Sequence, residues 1–185
     1  MLPDHFDVTE RLLKRSFQVS DPIVGAEIGV SRGELSAPLL KYYTSLQLDM
    51  VDRWDSPKNT ETYQTTGDIY AILPQECHEK HYKMACEAVL FAGNRAKIIR
   101  GELLKVASLD VECRYDFIYL DADHSYEGTL AALRAWGQLV KPGGIISGHD
   151  WGRWGVSKAV NDYKKEQGND TRFRTGKATS WGYIK

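Results

Sequence analysis

The chain lacks the features that mark a special environment. Its three cysteines, at positions 77, 86 and 113, are odd in number and lack the paired spacing of a zinc or redox motif. That excludes a disulfide-built secreted domain and points to free thiols in a reducing compartment. No apolar run approaches the roughly 18 to 20 residues of a membrane span, and the amino end, MLPDHFDVTERLLKR, carries acids where a signal peptide has an apolar core. Neither sign of charge dominates: 24 Lys and Arg against 25 Asp and Glu give a net charge of -1, so nothing general draws the chain to nucleic acid or an anionic membrane. Internal repeats, low-complexity tracts and interdomain linkers are missing too. These absences predict a cytoplasmic protein with no nucleic-acid or membrane partner. Its 185 residues, 42% of them hydrophobic, suit a single domain over 1–185.

What is present is alternation. An amphipathic helix through Thr9, Leu12, Leu13 and Phe17 ends before Asp21-Pro22, since the residue ahead of a proline is pushed out of helical geometry. Short apolar runs at Ile23 to Gly29, Leu46 to Val51, Ala96 to Arg100, Tyr115 to Asp121 and Gly144 to Gly148 read as buried strands. Helical spacing lies between them, at Glu34 to Tyr43, then on a face carrying Tyr82, Ala85, Cys86, Val89 and Leu90, and later through Leu130, Leu133, Trp136 and Val140. Gly155 to Gln167 supplies a further helix, and Thr171 to Gly176 and Thr179 to Lys185 are close enough to pair antiparallel. The expectation is an α/β fold with a mostly parallel sheet and helices on both faces. Residues 53–80 interrupt the alternation with a polar stretch, a candidate lid or acceptor loop.

In such a sheet, ligands bind beyond the carboxyl ends of the strands, and here those ends are acidic. Glu27-Ile28-Gly29-Val30-Ser31-Arg32-Gly33 joins the first strand to its helix. Glycines there let the backbone approach a ligand, and the helix amino end offers N–H groups to an anion. Asp52 ends the second strand, where a carboxylate can accept both hydroxyl hydrogens of a ribose. Arg100-Gly101-Glu102 closes the third, and Glu102 is placed to accept a hydrogen bond from an adenine amino group. Asp121 and Asp123 follow the fourth strand, and His149 and Asp150 the fifth. So many ionisable groups in one crevice are costly to bury unless a cation or substrate offsets them.

These residues, in the segments AEIGVSRGELS, LDMVDRWD, KIIRGE, YLDADHSYE to KPGGIISGHDW and TSWGYIK, resemble the class I S-adenosylmethionine-dependent methyltransferases. Within them the likeness is to the family 24 type, related to sugar and macrolide O-methyltransferases, and it covers nearly the whole chain. The resemblance implies a Rossmann-like sheet of seven strands with the last reversed, and S-adenosyl-L-methionine lying over the first two. It implies that Glu27, Gly29 and Gly33, with Val30 and Ser31 beside them, hold the methionine part. Asp52 and Arg53 would meet the ribose, Gly101 and Glu102 the adenine edge, and Asp121 would also border the cofactor.

The resemblance extends to a second pocket. The spacing of Asp121, His149 and Asp150 is similar to that of divalent-cation ligands in metal-dependent members, where Mg or Mn is expected. His149 departs from the all-oxygen pattern and shifts preference from magnesium toward manganese, iron, nickel or zinc, or removes the metal altogether. Asp123 resembles the base of the sugar-modifying relatives, while His124 and His149 compete for that role because imidazole titrates near neutrality. Trp151, Arg153 and Trp154 follow directly and suit the face of a sugar or an aromatic acceptor, or ordinary packing under the next helix. Cys77, His78, His81 and Cys86 are better read as part of an amphipathic helix than as a metal site. The expected activity is O-methylation of a small hydroxylated molecule, a sugar or natural product. With little sequence left for a cap, either residues 53–80 or the second subunit of a homodimer must shape the acceptor pocket. A nucleotide-binding oxidoreductase of the NAD type would need a tighter G-x-G-x-x-G loop, which is absent, and a noncatalytic cofactor-binding module would have no use for Asp123 and Asp150. A DNA amino-methyltransferase would carry an Asn/Asp-Pro-Pro-aromatic motif, also absent.

Overall fold

The computed structural model describes residues 2–56, 61–109 and 112–185. Helix α1 spans Asp7–Ser16, with Asp7 and Glu10 in its first turn and Lys14 and Arg15 in its last, the arrangement that complements a helix dipole. Strand β1 (Ile23–Ile28) leads into α2 (Ser36–Tyr42), and β2 (Leu46–Asp52) into α3 (Glu61–Gln64) and α4 (Gln75–Ala88). Then come β3 (Ala96–Arg100), α5 (Leu103–Ser108), β4 (Tyr115–Leu120), α6 (Tyr126–Gly137) and β5 (Val140–Gly148). Helix α7 (Val156–Glu166), β6 (Arg174–Thr175) and β7 (Trp181–Ile184) complete the chain.

The seven strands form one sheet in the order β3-β2-β1-β4-β5-β7-β6. Strands β1 to β5 are parallel, and β7 runs antiparallel to both β5 and β6. This is the Rossmann-like class I methyltransferase architecture. Alternate side chains feed two cores. Phe117 and Tyr119 face Leu13, Leu39, Leu40 and Ala85 from α1, α2 and α4, whereas Ile118 and Leu120 face Ala107, Leu133, Trp136 and Val160 from α5, α6 and α7. Each such side chain contributes about 1.5–3 kcal/mol on burial.

Several boundaries differ from expectation for local reasons. Helix α1 ends before Asp21-Pro22 as expected but stops at Ser16, leaving Phe17 as its extended C-cap. Helix α4 ends at Ala88, so Leu90 points to solvent at 75% exposure and does not share the buried face of Ala85 and Val89. The Lys-Pro-Gly-Gly segment lies inside β5: Tyr115 pairs with Val140 but Phe117 with Ile145, and the irregularity is accommodated by Gly143 at φ 78°. Strand β6 shrinks to two residues because Asn169 competes for the backbone, its Oδ1 accepting from Thr171 N at 2.9 Å and its Nδ2 donating to Ile184 O at 3.1 Å. Of the anticipated loop at 53–80, residues 57–60 lie outside the described residues.

Strand order reverses beside β1: β2 and β3 lie on one side of it, β4 and β5 on the other. The tips of β1 and β4 touch there, with Asp121 N donating to Ile28 O at 2.8 Å. Gly29 has φ 91°, and a Cβ on it would sit 2.0 Å from the Asp121 carbonyl oxygen. Gly29→Ala is therefore expected to lower unfolding free energy by roughly 2–4 kcal/mol, readable in a denaturant titration. A change under about 0.5 kcal/mol would contradict this packing.

Candidate active site at the strand tips

The loop after β1 is fixed by the residue that ends β2. Asp52 Oδ2 accepts from Val30 N and Ser31 N, both at 2.9 Å, and its Oδ1 accepts from Trp54 N at 2.9 Å. Trp54 returns the tie, its Nε1 donating to Ser31 O at 2.8 Å. A carboxylate oxygen offers two lone pairs, so among the described residues Oδ1 keeps capacity for one more donor. Gly33, at φ 76°, turns elsewhere: a Cβ there would lie 3.2 Å from Ala85 Cα, so its role is close packing on α4.

Glu27 is 3% exposed, and the hydroxyl of Ser36 donates to its Oε2. Burial pushes its pKa up to about 8, with the nearby Asp121 and Asp52 carboxylates adding to the rise and the Ser36 bond opposing it. At neutral pH this acid holds its proton until a cation arrives.

Beyond Glu27 lies a cluster of acids and imidazoles. His124 Nδ1 is 2.7 Å from Asp68 Oδ2, while its Nε2 is 3.1 Å from Asp121 Oδ1 and 3.3 Å from Asp150 Oδ2. His149 Nδ1 is 3.2 Å from Asp150 Oδ2 and 3.6 Å from Asp121 Oδ1. Burial alone would depress both imidazoles, but the hydrogen-bonded carboxylates override it and push each to about 10. Burial likewise acts to raise Asp121 and Asp68, and the imidazole partners outweigh it, leaving both below the usual carboxylate range. Among the described residues, Asp121, His124 and Asp150 present ligand atoms within 4.8 Å of one another. Cys77, His78, His81 and Cys86 form no such group. Two hard oxygens with one imidazole suit manganese, iron or zinc better than magnesium.

These groups share one cavity of about 600 Å³. Of the anticipated cofactor residues, Glu27, Gly29, Val30, Ser31, Asp52, Arg53 and Asp121 line it. Gly33, Gly101 and Glu102 do not; the Glu102 carboxylate turns to Lys105 Nζ at 3.2 Å, and Leu103 is the residue of that turn facing the cavity. Asp123, His124, His149 and Asp150 line the other end. Asp123 sits in the turn ahead of α6, whose cap is Ser125: its Oδ1 accepts from Ser125 N at 2.9 Å, and its carboxylate lies over Gly128, where a Cβ would be 2.2 Å from Cγ. Arg153 and Trp154 reach the cavity, Trp154 stacked on His124 with centroids 5.0 Å apart, but Trp151 packs on Phe173 at 4.3 Å.

The sequence singles out none of three further wall residues individually, although two of them fall in the 53–80 stretch expected to shape the acceptor pocket. Asp68 and Tyr63 come from the polar stretch after β2, and His5 comes from the amino-terminal turn, held by Tyr119 Oη donating to its carbonyl at 2.8 Å. A lone acid or histidine in an aperiodic segment carries no signal of where it folds. Among the described residues, no helix is long and apolar enough to cross a membrane.

The fold and this cavity can be set beside known proteins. The O-methyltransferase NovP superposes with a TM-score of 0.63 at 14% identity, over 98% of this chain and 77% of its own. The calicheamicin methyltransferase CalS11 gives 0.65 at 14%, over 97% and 76%. A SAM-dependent methyltransferase from Aquifex aeolicus gives 0.58 at 14%, over 99% and 89%. At these identities the likeness is one of fold. Another matched structure is more than twice as long as the aligned part, this chain spanning 47% of it. No curated protein matches the sequence. The family model described as a methyltransferase domain, type 24, matches residues 26–151, from the middle of β1 to just past Asp150. The chain therefore belongs to the class I S-adenosylmethionine-dependent methyltransferases, in the family 24 methyltransferase domains.

Proposed function

We propose that the protein transfers a methyl group from S-adenosylmethionine to a hydroxyl oxygen of a small hydroxylated acceptor, a sugar or natural product, with help from a divalent cation. The observation that carries this reading is the continuity of one cavity from Glu27 and Asp52 to Asp121, His124, His149 and Asp150. Its volume of about 600 Å³ lies within the range of ligand pockets. A desolvated acid at one end suits a ligand that carries an ammonium and a sulfonium, and the donor set at the other suits a metal.

When bound, the cofactor supplies an electrophilic methyl group on a positively charged sulfur. Glu27 would meet its amino group, ionising as it does so, and Asp52 would direct the remaining capacity of Oδ1 to a ribose hydroxyl. Arg53, Trp54 and Leu103 would enclose the adenosyl part. Aligning the acceptor oxygen with the methyl group and removing its proton are the protein's main tasks. Among the base candidates, His124 is favoured over Asp123, whose Oδ1 is already engaged by Ser125 N in the turn ahead of α6. His124 holds its proton tightly beside Asp121, Asp68 and Asp150. A cation held by Asp121, Asp150 and His149 would offset that negative charge, loosen the hold of His124 on its proton so that Nε2 can serve as base, and stabilise a developing alkoxide. Trp154, Tyr70 and Ile69 would flank the acceptor.

Calorimetric titration should show S-adenosylhomocysteine binding, and a product-release assay over sugars, sugar nucleotides and phenols should find turnover. Stabilisation by NAD with no response to S-adenosylhomocysteine would overturn the assignment. EDTA should cut that turnover at least about tenfold, with manganese restoring it better than magnesium. Indifference to EDTA would remove the cation from the reaction. Glu27→Gln should weaken S-adenosylhomocysteine by roughly 10- to 100-fold, the worth of a charge-assisted hydrogen bond. The same substitution has a pH signature. Glu27 ionises near 4.5 when unfolded and at about 8 when folded, so the native state binds the extra proton between these values and stability falls as pH rises through that window. Melting temperature should therefore drop less between pH 5 and 8 in Glu27→Gln than in wild type.

A further inference from the structure

Asp68 lies between α3 and α4 and is 5% exposed. Its Oδ1 accepts from Tyr70 N at 3.0 Å, and its Oδ2 faces two side chains, the Tyr63 hydroxyl at 2.6 Å and His124 Nδ1 at 2.7 Å. An ionised carboxylate can only accept, so the short contact to the imidazole places a hydrogen on Nδ1. The ring is also held on its face by Trp154, at 5.0 Å and 18°, and by the edge of Tyr63, at 5.9 Å and 77°. With Nδ1 anchored in this way, Nε2 is the nitrogen turned to Asp121 and Asp150.

We infer that Asp68 is a positioning residue: from the segment after β2 it fixes the ring of His124, so that Nε2 faces the acceptor half of the cavity. Its catalytic meaning rests on the methyltransferase reading above. Two consequences follow from where it sits. The acceptor half is complete only when the segment carrying Tyr63, Asp68 and Tyr70 is seated on the strand tips. The same hydrogen bond that orients the imidazole also ties that segment to the loop after β4. A carboxylate that orients a histidine through its second nitrogen is a general way of fixing which nitrogen is presented to a substrate or metal.

Nuclear magnetic resonance of the full chain labelled with ¹⁵N-histidine tests the assignment without needing an acceptor. Wild type should show a downfield, slowly exchanging proton on His124 Nδ1. In Asp68→Asn the single amide oxygen can serve Tyr70 N or the imidazole but not both, so this proton should move upfield or vanish. Tyr63→Phe removes the other donor and should leave the proton in place. Chymotrypsin should nick Asp68→Asn at Tyr63 or Tyr70 at least about tenfold faster than wild type. Both variants should bind S-adenosylhomocysteine within about threefold of wild type, showing that the cofactor half is intact. Absence of the shifted proton in wild type, or its persistence unchanged in Asp68→Asn, would overturn the role of Asp68 while leaving the methyltransferase reading in place. Failure of wild type to bind S-adenosylhomocysteine would instead remove the reaction that Asp68 is inferred to serve.

Discussion

The contact between the tips of β1 and β4 is the constraint on which the rest depends. The Asp121 N–H to Ile28 O bond and the space that only a glycine leaves at 29 bring two loops of different origin to within one residue's width. One loop runs to Asp52 through its own amides; the other carries the acids and imidazole after β4. Methyl transfer requires donor and acceptor to meet in line, so this packing contact sets the geometry of the chemistry.

Among the described residues eight acidic side chains line the crevice, and five of them, Glu27, Asp52, Asp68, Asp121 and Asp150, are accommodated in three ways. Asp52 is satisfied by backbone N–H groups, which support its negative charge without another ion. Glu27, buried with a hydroxyl as its partner, holds its proton. Asp121, Asp68 and Asp150 lean on two imidazoles. These solutions differ in what they leave for a ligand. Asp52 has most of its acceptor capacity taken up by three backbone N–H groups. Glu27 gains most from a cation, since ionisation there is otherwise opposed by desolvation. The third group sets three carboxylates against two imidazoles and the guanidinium of Arg153, whose Nη1 lies 3.4 Å from Asp150 Oδ1.

The fold was largely legible because its signals are repetitive. Five apolar runs each end in a polar tip, and the helical spacing between them leaves few other architectures open. Gly29 and the acids at 27, 52 and 121 could be placed at one edge from chain order alone. Resolution failed at the scale of single residues. Asp123 and His124 are neighbours in sequence, and only the bond from Ser125 N with the gap at Gly128 turns the first toward α6 while the second is drawn to Asp68. Glu102 follows a strand as Asp52 does, yet Lys105 one turn ahead in α5 attracts it. Asp68 could be assigned only to the 53–80 loop and not singled out within it, because that segment has no periodicity and the residue's place depends on a tertiary contact made 56 residues away.

Backbone strain follows the same division between scaffold and site. Ser31, Trp54, Asp150 and Trp154 have positive φ without being glycine, and all four line the cavity. Such conformations cost of order 1–3 kcal/mol each and persist only where surrounding structure over-determines them. For Ser31 and Trp54 the determinants are the Asp52 carboxylate and the indole bond between the two residues. For Asp150 they come from the far end of the chain: Trp181 Nε1 donates to His149 O at 2.7 Å, and Trp151 N donates to Thr179 O at 2.8 Å. Among the described residues, Thr179 and its neighbour Ala178 are the remaining two non-glycine residues with positive φ, so the turn before β7 is itself strained where it grips the loop after β5. The reversed strand therefore does more than finish the sheet. By burying Trp181 against the core it carries the stabilisation that holds His149 and Asp150 in a geometry their own backbone disfavours.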